Sequence, residues 1–452
     1  MIRAIFSQSA ARRITDVLGS FAAQRSTNLA FLDQMVVSGA NFLAGILLAR
    51  GLGLYEFGRF ALAWMLIEFA GSLQFAAIIQ PMLNIGPKQE EADSLDYYNA
   101  VVVQQGLTCL ALGSLAGIAV TAAGWIFSDP QLYELAIPLF LATVAYQLHN
   151  FLRRYFFLRD RGFAALCNDA LRFATQIAAI AMLAALSDHP TAVSGIWIIA
   201  FACAVSTLQG ACFFGCPRPK RSVLREVWGR HWQFSKWLLP SALMFWTTSQ
   251  AFVLMSGFVL GPAVTGAVKV ALSMTGLLNI LLLALDNFAP AQAARAWHAG
   301  GRPQLRRYML RLGCLTGVLI FATVGILNID PAYFVRLLFG HQYESTAYLV
   351  HWFSAPAAVY GISTVLIIWT AAMEKTRPIF LSYAMATAFT LIAAYPMTRY
   401  GGLAGVAFGS LLVESIRVIV LWMPLRHEAI CSVERPRVEV PETSGSDVRS
   451  IR

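Results

Sequence analysis

The sequence is short of charged residues. Only 13% of its 452 residues are Asp, Glu, Lys or Arg, whereas 58% are apolar, and the mean hydropathy is +0.61. A soluble globular chain carries about 25% charged residues, so this composition cannot cover a surface that faces water. Apolar runs of about 20 residues recur along the chain, each long enough to cross a bilayer. Because the runs are continuous rather than alternating, they exclude a β-barrel and predict an all-α polytopic membrane protein.

Several chemical signatures are missing as well. The seven cysteines form no CxxC pair and no zinc-ligand spacing, and no glycine-rich loop with a lysine is present to hold ATP phosphates. The loops predicted opposite the termini are short, and His189 and His341 there have no acid–base set around them. The sequence therefore predicts no metal and no cofactor. A membrane enzyme, such as a glycan polymerase or acyltransferase, is the least supported of the functions considered below.

The apolar runs predict twelve membrane helices in two six-helix lobes. A basic cytoplasmic linker at residues 217–236 separates an N-terminal lobe, 29–216, from a C-terminal lobe, 237–425. Residues 1–28 predict either a short amphipathic helix on the inner membrane surface or a frayed basic tail. The polar, Pro- and Ser-rich residues 426–452 predict a disordered cytoplasmic tail. The approximate spans are 29–49, 58–85, 100–127, 133–157, 163–186, 192–214, 237–260, 264–288, 308–327, 347–373, 379–398 and 403–423.

The basic residues predict the orientation in the membrane. They concentrate on the side of the two termini, whereas the opposite side has only Arg50, Arg59, Arg336 and Arg399. Since Lys and Arg accumulate on the cytoplasmic side, both termini are predicted to be cytoplasmic. The net charge of +10 then reflects topology and attraction to anionic membrane lipids. Nucleic-acid binding is not predicted, because no recognisable module is present.

One glycine pattern occurs once in each half of the chain. It consists of Leu52-Gly53 with Gly58, and of Leu260-Gly261 with Gly266. The two copies lie six helices apart, so they keep the same orientation and predict a parallel repeat related by an axis along the membrane normal. Chance similarity between apolar helices is the alternative explanation.

Three stretches resemble a known family. They are residues 33–62 (DQMVVSGANFLAGILLARGLGLYEFGRFAL), the basic loop RRYFF with RGFAA at 153–165, and GGLAGVAFG at 401–409. They are similar to the polysaccharide-transporter branch of the multidrug/oligosaccharidyl-lipid/polysaccharide exporter superfamily, the Wzx-type O-antigen and exopolysaccharide flippases. In helix count and layout the resemblance covers nearly the whole chain.

The resemblance implies a function and a location. It implies two lobes around a central cavity that opens alternately to each side of the bacterial inner membrane. The implied cargo is a polyprenyl-pyrophosphate-linked oligosaccharide, moved to the periplasmic face with the help of an ion gradient. A glycan polymerase and its chain-length machinery are candidate partners. These motifs do not separate one glycan from another.

Charged residues inside membrane helices are rare and costly, so each is a functional candidate. A diphosphate head group needs cations in place of its lost hydration, and Arg offers planar, bidentate donors. We therefore predict Arg172 and Lys269 as head-group contacts, one from each lobe. Asn168 and Gln176 share a helical stripe with Arg172, and Arg417 is a further candidate.

The acidic residues predict a second role. A carboxylate in a low-dielectric cavity holds a proton more readily than one in water. The candidates for coupling to protons or sodium are Asp33, Glu68, Asp286 and Glu414.

Structural roles compete with these assignments. Asp169–Arg172 and Glu414–Arg417 are i,i+3 pairs whose charges can neutralise each other. Asp286 can cap a helix end, and Lys269 can extend its amine to the membrane surface. A drug/cation antiporter of the same superfamily is the first rival function. Cationic drugs, however, favour an acid-lined pocket over one with Arg172 and Lys269.

Overall fold

The structure is a computed structural model that describes residues 2–213 and 219–431. Three predictions lie outside the described residues: the amphipathic face of residues 1–28, the role of the Asp286 side chain, and the tail beyond residue 431. Within the described ranges, side chains are not described for residues 2–28, 30–31, 91–93, 279–281, 283–284, 286–288 and 427–431.

Within the described ranges, the regular elements are all helical. A π-helical turn, Phe75–Ile79, links the first two α-helices, and 3-10 turns lie at Gly86–Lys88 and His341–Thr346. The α-helices are α1 (Ile2–Gln74), α2 (Gln80–Ile85), α3 (Glu91–Phe127), α4 (Pro130–Glu134), α5 (Ala136–Leu158), α6 (Gly162–Leu186), α7 (Ala192–Ala211), α8 (Arg221–Leu260), α9 (Pro262–Ile329), α10 (Pro331–Phe339), α11 (Leu349–Ala372) and α12 (Thr376–Cys431).

Three of these helices change direction at glycines and account for two spans each. α1 breaks at Gly53, α9 at Gly300 and Gly301, and α12 at Gly402. Gly53 and Gly402 have φ of 76° and 56°, a conformation that glycine adopts without a Cβ clash. Within the described residues nine helices are long and apolar enough to cross a membrane. Dividing α1, α9 and α12 at their breaks yields the twelve predicted spans, so the predicted fold class is confirmed.

The helices pack into two lobes. α1, α3, α5, α6 and α7 form the first lobe, and α8, α9, α11 and α12 form the second. Met65, Leu139 and Ile196 are fully buried in the first lobe, and Leu278 and Leu282 are buried in the second. Burial of apolar side chains on one face leaves the opposite face of each helix for lipid.

The lobes meet through the repeated glycines. A Cβ on Gly58 would lie 1.8 Å from the carbonyl oxygen of Pro262, and one on Gly266 would lie 2.4 Å from that of Leu54. Leu54 precedes Gly58 by four residues, as Pro262 precedes Gly266, so the two contacts are equivalent. The backbones at Gly58 and Gly266 can approach this closely because neither glycine has a side chain.

A second contact joins the lobes on the side away from the termini. The first span of α1 ends at Arg50, whose Nε donates to the carbonyl of Leu338 at 2.7 Å and whose guanidinium also donates to that of Leu337. The buried hydroxyl of Tyr343 donates to the carbonyl of Ala49 at 2.9 Å. The segment between α9 and α11 therefore closes over the end of this span.

The second membrane span begins in α1 and continues through the π-helical turn into α2, and a proline explains the turn. Pro81 has no N–H, and its ring crowds the carbonyl four residues earlier, which belongs to Ala77. The hydroxyl of Ser235 on α8 donates to that carbonyl at 3.2 Å. The distorted turn at Phe75–Ile79 lies beside the cavity described below.

Helix α8 begins earlier than the sequence indicates. Residues 221–236, assigned to the linker, form its first four turns. Val227, His231 and Ser235 on this segment are buried against the first lobe, and His231 Nε2 lies 3.0 Å from the hydroxyl of Tyr97. The helix that begins the second lobe is thus attached to the first.

Candidate functional site

The first lobe contains a cavity of about 410 Å³, here called the first-lobe cavity. Helices α1, α5, α6 and α8 supply its walls. Its charged lining residues are Glu68, Arg153, Arg154, Asp169 and Arg172. Charged groups from three helices therefore converge on one interior space.

A second cavity of about 430 Å³ lies in the second lobe and is lined by Lys269 and Glu414. Phe245, Ser249 and Gln250 of α8 line both cavities. Lys269 Nζ donates to Gln250 Oε1 at 3.3 Å, so its amine points toward the shared wall rather than the membrane surface. The two cavities lie on either side of this common wall of α8, with Arg172 on one and Lys269 on the other.

An arginine of α5 bridges two buried carboxylates. Arg153 lies 2.5 Å from Asp33 Oδ2 and 2.7 Å from Asp169 Oδ2, and both carboxylates are fully buried. His149 Nε2 lies 3.0 Å from Asp169 Oδ1. Buried charges are stable only when paired, so this network holds α1, α5 and α6 together. The sequence-based pairing of Asp169 with Arg172 is wrong, because Arg153 and His149 on the neighbouring helix are the partners.

Arg172 is held by aromatic rings instead. Its guanidinium lies 4.5 Å from the ring centre of Phe173 and 5.2 Å from that of Tyr146. The residue is only 3% exposed, and its Nε has no hydrogen-bond partner among the described residues. Stacking on aromatic faces stabilises a cation without neutralising it.

Two other cations on the cavity walls, Arg154 and Lys269, also lack an ion pair among the described residues. Arg154 lies 5.9 Å from the ring centre of Phe75 on the first-lobe cavity. Within the part of the chain that the structure describes, Arg154, Arg172 and Lys269 make no ion pair. The two cavities are therefore lined by three cations that make no ion pair among these residues.

The other members of the Arg172 stripe have different surroundings. Asn168 donates to the Ser206 carbonyl and to Gln209 Oε1, each at 2.6 Å, and so joins α6 to α7. Gln176 is buried. Neither residue lines either cavity, so the structure brings only Arg172 of this stripe to a cavity wall.

The predicted acidic residues also differ in position. Glu414 lines the second-lobe cavity, accepts from Ser363 at 3.2 Å, and pairs with Arg417 at 2.8 Å. Arg417 is 3% exposed behind it and donates to Tyr383 at 3.0 Å. This i,i+3 pair is thus present, as its structural interpretation requires. Glu68 lines the first-lobe cavity and accepts from Trp64 Nε1 at 3.0 Å.

An apolar groove adjoins both cavities. It has a volume of about 650 Å³ and lies between the second span of α1, α8 and the start of α12. Ser72 and Phe75 line both the groove and the first-lobe cavity, whereas Phe245 lines the groove and both cavities. A charged interior and an apolar opening between the lobes therefore meet at Phe245.

Sequence reasoning gave no transport role to three residues of the first-lobe cavity, which are His149, Arg153 and Arg154. One available signal is the spacing of His149 and Arg153, which places them on one helix face.

Two helical lobes with interior cavities that share lining residues on α8 are thus the main features of the fold. A solved multidrug resistance MATE family transporter of the MOP superfamily, inward-facing, matches with a TM-score of 0.65 and 16% identity over 91% of this chain and 100% of that chain. The lipid II flippase MurJ in an inward closed conformation matches with a TM-score of 0.65 and 12% identity over 89% and 87% of the two chains. An outward-facing MATE transporter matches with a TM-score of 0.57 and 17% identity over 91% and 96%.

These likenesses show the fold. No protein-family model and no curated protein sequence matches the chain. At such identities the comparison assigns the chain the architecture of MOP-superfamily transporters, and the resemblance to Wzx-type flippases enters the proposal below.

Proposed function

We propose that the protein is a flippase that moves polyprenyl-pyrophosphate-linked oligosaccharide from the cytoplasmic to the periplasmic leaflet of the bacterial inner membrane, by alternating access. The glycan would serve O-antigen or exopolysaccharide biosynthesis. The observation that carries this proposal is a set of three cations on the cavity walls that make no ion pair among the described residues, Arg154, Arg172 and Lys269. A cation without an ion pair is costly inside a membrane protein, and a diphosphate would supply negative charge within direct reach.

The apolar groove supports a lipid-linked cargo. A diphosphate sugar in the cavities must leave its prenyl chain in contact with lipid, and the groove at Phe75 and Phe245 offers that route. A water-soluble cargo would need no apolar opening of this kind. The charged interior and the groove thus match the two halves of one amphipathic molecule.

The buried carboxylates are proposed to couple transport to an ion gradient. Asp33 and Asp169 share Arg153, and Arg153 also lines the first-lobe cavity. In the cycle we propose, the two carboxylates bind a proton or sodium ion from the periplasm after the cargo has left, and release it to the cytoplasm before the next cargo binds. The ion would then move down its inward gradient while the empty cavity returns, and Arg153 would pair with the carboxylates again once the ion has left.

A drug/cation antiporter is the second candidate. Glu68 and Glu414 favour it, because each cavity then has a predicted acidic residue on its wall. Glu414, however, is already paired with Arg417. Glu68 then attracts a cationic drug less strongly than two unpaired glutamates would.

Deletion of the gene tests the proposal in cells. The expected result is lipid-linked oligosaccharide that accumulates on the cytoplasmic leaflet. The wild-type gene should restore export, whereas Arg172→Ala and Lys269→Ala should not. Gln176→Ala is the matched control, because Gln176 is buried on the same helix but lines neither cavity. Normal export in the deletion strain, or in both cavity variants, would contradict the proposal.

The groove is tested by filling it. Ala242 lines the groove, and its neighbour Leu243 is exposed on the same helix outside it. Ala242→Trp should weaken binding of a polyprenyl diphosphate to the purified protein and leave binding of inorganic pyrophosphate unchanged. Leu243→Trp should affect neither ligand. Equal binding of the long-chain ligand by both variants would exclude this route for the lipid.

A further inference from the structure

The first turns of α8 carry an exposed stripe of cations and tryptophans that the transport site does not use. We call it the Arg–Trp stripe, and its members are Arg221, Arg225, Trp228, Trp232 and Lys236. All five are exposed; Trp228 is 45% and Trp232 is 58% exposed.

Helix geometry places the five side chains together. At about 100° per residue, they lie within about 80° of one another around the axis. The segment is anchored on a neighbouring face, where Val227, His231 and Ser235 pack against the first lobe. The stripe therefore has a fixed orientation and points away from the protein.

The position of the stripe along α8 favours the membrane surface. The helix has 40 residues, which corresponds to about 60 Å, whereas the hydrocarbon core is about 30 Å thick. The stripe occupies the half of α8 before its apolar part, on the side of the chain termini. This is the region where a membrane helix meets lipid headgroups.

The chemistry of the stripe fits one kind of partner. Within the part of the chain described by the structure, Arg221, Arg225 and Lys236 make no ion pair. Indole rings are stable at the headgroup level, where one edge is wet and the other apolar. Basic side chains beside them attract anionic lipids. Two exposed tryptophans interleaved with three cations match an anionic phospholipid, with its phosphate on the cations and its upper acyl chain on the rings.

We propose that the Arg–Trp stripe binds the headgroups of anionic phospholipids in the leaflet on the side of the termini. The segment that carries the stripe links the two lobes and is packed against the first. Bound lipid would therefore hold this end of α8 at the membrane surface while the second lobe moves. This site is separate from the transport cavities, and its ligand is a bilayer lipid rather than the cargo.

Brominated lipids test this site in the full-length protein. The protein is reconstituted into phosphatidylcholine vesicles that contain equal mole fractions of either brominated phosphatidylglycerol or brominated phosphatidylcholine. Subtracting the signal of the Trp228→Phe/Trp232→Phe variant isolates the fluorescence of the two stripe tryptophans. We expect brominated phosphatidylglycerol to quench them several-fold more strongly. High salt should reduce the preference, because it screens exposed charges.

Charge variants decide the outcome. The triple variant Arg221→Gln/Arg225→Gln/Lys236→Gln should abolish the preference, with a loss of up to about fivefold in relative affinity for each cation. Arg230→Gln is the control, because Arg230 lies on another face of the helix and 3.8 Å from Glu226. It should keep the preference. Equal quenching by the two lipids in the wild type would overturn the proposal, and so would a preference that survives the triple substitution. If an acidic protein segment covered the stripe instead of lipid, the two brominated lipids would quench the wild type equally.

Discussion

Gly58 of α1 and Gly266 of α9 pack backbone to backbone at the boundary between the lobes. The Cβ of an alanine at Gly58 would lie 1.8 Å from the Pro262 carbonyl oxygen. Because both residues belong to the glycine pattern repeated in the two halves, the contact relates the sequence repeat directly to the packing of the two lobes. It also makes this packing sensitive to a single methyl group.

Gly58→Ala should therefore prevent closure on the side away from the termini. In a Ser249→Cys background, whose thiol would line both cavities, an impermeant maleimide added from that side should react several-fold faster when Gly58→Ala is present. Gly276→Ala is the control, because a Cβ at Gly276 meets nothing within 4 Å. Equal labelling rates in all three proteins would show that this contact does not close the cavities.

Tyr343→Phe should weaken the same closure by a smaller amount. The substitution removes the hydrogen bond to the carbonyl of Ala49 and keeps the ring. The loss of one such bond costs about 1 kcal/mol, so the population open on that side should rise about fivefold. Labelling of the Ser249→Cys thiol measures this change, and Tyr333→Phe, at an exposed ring, should leave it unaltered.

Arg153→Gln should destabilise the protein strongly. It removes the guanidinium that Asp33 and Asp169 share, and breaking a buried ion pair from one side costs about 3 to 5 kcal/mol. Thermal unfolding in detergent measures the loss. Adding Asp33→Asn should recover part of the stability, because one of the two uncompensated charges is then gone.

A variant of the adjacent arginine, Arg154→Gln, is the control for this experiment. Arg154→Gln should change stability little, since Arg154 makes no ion pair within the described residues. If Arg153→Gln and Arg154→Gln were equally stable, the bridging role of Arg153 would be refuted.

Arg172→Lys separates charge from geometry. Lysine keeps the charge but loses the planar donors and the stacking on Phe173 and Tyr146. We expect Arg172→Ala to weaken binding of a polyprenyl diphosphate about 10- to 100-fold, with Arg172→Lys between alanine and wild type. A titration of the purified protein provides the dissociation constants. A lysine variant that binds as tightly as wild type would mean that charge alone is recognised.

Much of the architecture is predictable because each span must cross lipid. The length of the apolar runs predicts the twelve helices, and the repeated glycines indicate where the two lobes are equivalent. The beginning of α8 is less accessible to sequence analysis. Residues 221–236 are basic enough to resemble a loop, and their helical state depends on the packing of Val227 and His231 against the first lobe.

The site is predictable only in part, because helix spacing does not determine partners between helices. The i,i+3 spacing correctly predicts that Glu414 pairs with Arg417. It fails for Asp169, because Arg153 and His149 on α5 lie nearer to that carboxylate. Arg153 and Arg154 also satisfy the positive-inside rule, so their second role appears only when α5 is packed beside the cavity.

Transport by the reconstituted protein tests the central claim most directly. Proteoliposomes would be loaded in parallel with a labelled polyprenyl-diphosphate disaccharide and with a cationic dye, and movement of each across the bilayer would be followed. The account predicts translocation of the glycolipid by the wild type, at least a tenfold loss in Arg172→Ala/Lys269→Ala, and no transport of the dye. Movement of the dye alone, or glycolipid translocation undiminished in the double variant, would contradict it.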